Sequence, residues 1–158
     1  MKKATLLLCL ALIGLTASSQ WTHKVINSEF DGKFKKAFTK IDNGGFLAME
    51  VGEIQIDTTD DRYPFMYIMG VYFCDEGTTI EMAFYVGKEI KKYDIRATKS
   101  NDSRTYYFND DMWTPEFVSD FKKASKCSIR VNQDYCTTDY FSFNMTGSAD
   151  AFNFISRK

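Results

Sequence analysis

Short runs of aromatic and β-branched residues, each interrupted by turn-forming residues, recur from Trp21 to Thr146, and this punctuated pattern constrains the fold more than any other feature. The runs at 21–26, 33–39, 46–51, 53–57, 65–73, 78–86, 93–98, 104–108, 128–131 and 140–146 read as strands, because such side chains suit a pleated, half-buried surface. Asp31-Gly32, Asn43-Gly44-Gly45, Glu76-Gly77, Val86-Gly87 and Ser100-Asn101-Asp102-Ser103 separate them with residues that tolerate positive φ or bond their own backbone. Ile80, Met82, Phe84 and Val86 share one face of their run, and Phe141, Phe143 and Met145 repeat the alternation. About ten such strands predict a mainly β fold, an antiparallel β-sandwich, with these two strands supplying core.

One helix is specified near 115–125. Thr114 can cap it, Pro115 suits its first position, Glu116 complements the positive end of the dipole, and Phe117, Val118, Phe121 and Ala124 recur at helical spacing. A short C-terminal helical turn is expected from Ser148, with Ala151, Phe152 and Ile155 turned inward. With 14 Phe, 9 Tyr and 2 Trp, the chain has rings enough to build a core without a metal or other cofactor.

The N-terminus carries an address. Met1-Lys2-Lys3 is a charged start, 4–15 is a Leu-rich apolar run too short to span a bilayer, and Ala17-Ser18-Ser19 supplies small residues for cleavage. The reading is a signal peptide at 1–19, cut before Gln20, and a single domain at 20–158, secreted or periplasmic, with no transmembrane segment after cleavage. Cys9 lies inside the apolar run without the small residues that lipidation requires. A net charge of -1 and a pI near 5.8 argue against a nucleic-acid partner, because phosphate affinity needs an excess of Lys and Arg.

Export changes the meaning of the cysteines. Cleavage leaves Cys74, Cys127 and Cys136, an odd number that in an oxidising compartment implies one bridge and one thiol. A tight loop at Asn132-Gln133-Asp134 would set Val131 opposite Tyr135 and Cys127 opposite Asp139, so Cys127 would not face Cys136. A disulfide between Cys74 and Cys136, both at strand ends, is expected, with Cys127 to Cys136 as the alternative. Cys127 should share a buried face with Ile129 and Val131.

The Cys74-Asp75-Glu76-Gly77 turn and alternating strand, the charged strand Tyr93-Asp94-Ile95-Arg96, Trp113 before a Phe-rich helix, and the ending Phe141-Ser142-Phe143-Asn144-Met145-Thr146-Gly147-Ser148 form one series. Over roughly residues 65–158 this order resembles small exported bacterial β-sandwich proteins, including the invasion-associated locus B family and type VI secretion accessory proteins. The leader ending in Ser-Gln and the abundance of Tyr, Phe, Lys and Asn resemble secreted Bacteroidetes proteins. The resemblance implies an architecture and export. It carries no catalytic residue.

Motifs for chemistry are missing from the sequence: there is no phosphate loop, no dinucleotide fingerprint and no His-Glu-x-x-His, and the one histidine is His23. Asp57, Asp60 and Asp61 are weak metal candidates, and Asp110 and Asp111 form a second acidic turn; neither has the spacing of a dedicated calcium loop. Asp57-Thr58-Thr59 resembles a bacterial O-glycosylation acceptor. Tyr63, Tyr67 and Tyr72, and above all Tyr106, Tyr107 and Trp113, are candidate binding rings, since flat amphipathic faces suit glycan and protein contacts. Tyr106 and Tyr107 are adjacent in one strand, so one of them must point outward. The lysine doublets 35–36, 91–92 and 122–123 read as solvated surface. The functional reading is an exported noncatalytic module that binds an envelope or extracellular protein or glycan. A small carboxylate-dependent, glycosidase-like hydrolase and a structural envelope protein are the alternatives.

Overall fold

The computed structural model describes residues 20–29, 32–42, 44–52, 64–70, 72, 74, 77–101, 104–133 and 138–156. The leader, the run at 53–57, the candidates Asp57, Asp60, Asp61 and Tyr63, and Cys136 lie outside them. The strands are β1 (Thr22–Ser28), β2 (Gly32–Lys40), β3 (Phe46–Gly52), β4 (Phe65–Met69), β5 (Gly77–Val86), β6 (Glu89–Lys99), β7 (Thr105–Phe108), β8 (Lys126–Val131) and β9 (Asp139–Asn144). Each matches one of the expected runs, and the fold is mainly antiparallel β as expected.

All nine strands belong to one hydrogen-bonded sheet in the order β1-β2-β3-β4-β7-β6-β5-β8-β9. The β5–β6 hairpin turns through Gly87 and Lys88, and Gly87 sits at φ 61, the left-handed conformation that a two-residue hairpin favours. The sheet curls until its two ends meet at one corner. There the Asp42 N–H donates to the Ser142 carbonyl at 3.4 Å, and the Gln20 N–H to the Thr146 carbonyl at 3.3 Å.

Two helices fill the concave side, α1 (Pro115–Lys123) and α2 (Ser148–Ser156). Thr114 caps α1 as expected, its hydroxyl accepting from the Phe117 N–H at 3.1 Å. The helix stops at Lys123, where Ala124 leaves helical geometry. Phe117 and Phe121, one turn apart, are fully buried and meet Phe84 of β5 at ring separations of 5.2 and 5.9 Å. Trp21 meets Phe121 at 5.7 Å, and the Ser148 hydroxyl donates to the Phe121 carbonyl at 2.8 Å, which fastens α2 to α1. The expected core residues Ile80, Met82, Phe84, Phe141, Phe143 and Met145 are all buried.

The β8–β9 hairpin corrects one expectation. Val131 pairs with Asp139 and Cys127 with Phe143, so the connection is 132–138 rather than a tight loop at 132–134. Cys127 still faces no cysteine across the ladder. It is a free thiol, fully buried beside Ile129 and Val131, and burial pushes its pKa well above the usual thiol value.

Candidate functional site

Strand register decides which rings face outward. Tyr67 pairs with Tyr107 and Ile68 with Tyr106, so Tyr67 and Tyr107 share one face of the β4–β7 ladder while Ile68 and Tyr106 share the other. Tyr106 is fully buried in the core, whereas Tyr107 is 47% exposed on the outer face. Phe65, two residues before Tyr67 on β4, falls on the same outer face and is 45% exposed. Trp113 is buried on the opposite side, edge-on to Phe117 at 5.5 Å and 5.6 Å from Phe152. The three ring candidates are thus not brought together. Trp113 nevertheless bears on the site, because its indole N–H donates to the Pro64 carbonyl at 2.9 Å and fixes the residue that precedes Phe65.

Tyr67 is the fixed floor of this face. Its hydroxyl donates to Glu50 Oε2 at 2.8 Å, its ring lies 5.5 Å from that of Tyr107, and Lys36 Nζ sits 5.2 Å above its centroid and 3.8 Å from Glu50. Burial first, then the charge and hydrogen bond of Glu50 and the neighbouring Tyr107, push the Tyr67 phenol far above its usual pKa. The phenol therefore stays protonated and keeps its hydrogen bond to Glu50.

An open depression of about 630 Å³ adjoins Phe65 and Tyr107, with Thr98, Asn109, Asp110 and Asp111 along its polar side. A 3₁₀ turn, Asp110–Met112, presents the two aspartates, and the Asn109 N–H donating to the Arg96 carbonyl at 2.9 Å holds it against β6. Apart from its acidic pair, this turn has no signature in the sequence. Asp111 is engaged by the Arg96 guanidinium, which leaves Asp110 as the carboxylate facing the depression without that neutralisation. Two rings side by side with acceptor oxygens at one rim can stack on a flat apolar surface and accept hydrogen bonds from its edge. Among the described residues the lining contains no carboxylate from an opposing wall to pair with Asp110 in acid–base work, and no cluster of three metal-binding side chains exists.

Sequence reasoning misses Phe65, although its alternation with Tyr67 carries the signal. Tyr72 is 69% exposed, away from strand pairing. A second groove lies on the outer face of β5, β8 and β9, lined by Tyr85, Ile90, Tyr140 and Glu81 among others. Glu81 there lies 2.8 Å from Arg130 and 3.6 Å from Lys92. Cys74 is held from two sides, its N–H donating to Gln133 Oε1 at 2.7 Å and its carbonyl accepting from Lys99 Nζ at 3.0 Å. Among the described residues no helix is long and apolar enough to cross a membrane. No family model, no curated protein and no solved structure matches the chain.

Proposed function

We propose that the protein is an exported, noncatalytic binding module of the cell envelope or extracellular space, and that it engages its partner through the Phe65–Tyr107 face. The observation that carries this reading is the pair of rings, each nearly half exposed and set on adjacent strands above the neutral Tyr67, beside the depression that Asp110 borders. Large rings left exposed on rigid strands favour recognition, because leaving them in water forgoes the burial that other rings of this chain obtain.

Export rests on the charged, apolar and small-residue order of 1–19. A Cys74–Cys136 bridge belongs to the same reading. Cys127 is a buried free thiol, and Gln133, three residues before position 136, bonds the Cys74 backbone.

Paired affinity capture tests the reading. Wild-type protein and the Phe65→Ala/Tyr107→Ala variant are used as baits on native envelope extract and culture fluid, with melting curves confirming that both are folded. The wild type should retain a component that the variant loses. Identical captures, or turnover of a glycan by the wild type that the variant retains, would overturn it.

A further inference from the structure

The two edges of the sheet are finished differently. At β9 the edge is occupied: the Ser142 N–H donates to Asp42 Oδ1 at 2.6 Å, its carbonyl accepts from the Asp42 N–H, and its hydroxyl donates to Asp42 Oδ2 at 2.8 Å. β1, at the other end of the order, has among the described residues a strand neighbour on one side alone, and Thr22, His23, Lys24 and Val25 are exposed in succession. Its first six residues, 22–27, offer about 20 Å of ladder, and their outer edge directs alternate N–H and C=O groups away from β2.

The charge on this edge is one-sided. β1 and β2 together contain Lys24, Lys33, Lys35, Lys36 and Lys40 and no acidic residue, the two acids of this segment, Glu29 and Asp31, falling between the strands in sequence. Lys24 stands directly opposite Lys36 in the register, and both are drawn onto aromatic faces, Lys24 at 5.5 Å from Phe38 and Lys36 at 5.2 Å from Tyr67. Glu50 reaches Lys36 at 3.8 Å, whereas Lys24 has no carboxylate within salt-bridge distance among the described residues. Like charges placed opposite each other weaken a strand pair, so a carboxylate arriving beside Lys24 relieves a tension already present. On the other face of β1, Val25 is 49% exposed.

We propose that β1 is the acceptor edge for an acidic, extended peptide of a partner protein, which adds as a tenth strand. Backbone pairing supplies the affinity, and the alternation supplies the selectivity: acidic side chains on the face of Lys24 and Lys36, and an apolar one beside Val25 on the face that Lys35 shares. A second copy of this chain is the wrong occupant, because edge-to-edge pairing would bring Lys24 and the five-lysine hairpin against their own images. The site lies apart from Phe65 and Tyr107 and does not depend on their role.

A fluorescent eight-residue peptide alternating Glu and Val is the probe, with a Lys/Val peptide and a Glu/Pro peptide of equal acidic charge as comparisons. The Glu/Val peptide should bind the full mature chain, raise its anisotropy and slow hydrogen exchange at 22–28. Lys24→Glu should weaken binding by about fivefold, with a melting temperature no lower than the wild type's because the new carboxylate stands opposite Lys36. Equal binding of the Glu/Pro peptide would mean attraction of any polyanion without strand addition, and would overturn the proposal. Equal binding of the Lys/Val peptide, or no binding of any peptide at millimolar concentration, would also overturn it.

Discussion

Truncating Phe121 to alanine removes the ring around which both helices are organised. The side chain is fully buried and lies 5.7 Å from Trp21, 5.9 Å from Phe84, and 6.3 Å from both Phe117 and Phe152, measured between ring centres. Loss of a buried Phe costs about 3–5 kcal/mol through lost transfer energy and the remaining cavity. Four ring neighbours anchored on different elements cannot all collapse into that space, which places the change near the upper half of the range, at about 4 kcal/mol. With a urea dependence of about 2 kcal/mol per molar for a chain of this size, the midpoint should fall by about 2 M. Tryptophan fluorescence is the assay, since Trp21 touches the deleted ring. Phe65→Ala is the matched comparison, the same truncation at a ring that is 45% exposed, and should shift the midpoint by less than about 0.5 M. Equal shifts for the two variants would refute the reasoning, because burial would then not distinguish them.

The corner that closes the sheet should depend on pH. Burial pushes the Asp42 carboxyl upward, but the N–H and hydroxyl of Ser142, its own N–H and the charge of Lys126 outweigh that and hold it below the usual carboxylate value. A lowered folded-state pKa gives stabilisation that is present above the unfolded value, near 3.8, and lost as pH falls through the folded value. The stability difference between wild type and Asp42→Asn, about 1 kcal/mol at neutral pH for an exposed site, should therefore vanish in acid; a difference constant down to about pH 2 contradicts it. Peptide mapping of unreduced protein from the native host should begin at Gln20 and contain a Cys74–Cys136 crosslink, worth about 4 kcal/mol on the chain-entropy account. Cys127, fully buried, should alkylate only after denaturant is added, and a Cys127–Cys136 crosslink would refute the pairing.

Features of the chain are legible in proportion to how locally they are determined. Aromatic and β-branched runs between turn residues mark the described strands, and Thr114-Pro115-Glu116 marks the start of α1, because each signal acts within a few residues. The order of strands is not legible: β4 pairs with β7 across two intervening strands, a choice made by the packing of the whole core. The hairpin register fails at 132–138 for a related reason. Gln133, which looks like a turn residue, is buried, bonding Asp139 at 2.9 Å as well as the distant Cys74. At the site, adjacency of Tyr106 and Tyr107 establishes that one ring faces out, but only the pairing with β4 identifies Tyr107. Trp113 reads as a binding ring because exposed and buried tryptophans look alike in sequence; its indole reaches Pro64, 49 positions away. Asp42 and Ser142, 100 positions apart, give no sign of each other.

Hydroxyl-radical footprinting of the protein bound to isolated native envelope material tests the central claim most directly, because it reports which rings leave solvent whatever the partner is. The account predicts that oxidation of Phe65 and Tyr107 falls several-fold on binding, while Tyr85 and Tyr140, on the second groove, react as they do in free protein. Protection of Tyr140 with Tyr107 unchanged would contradict it.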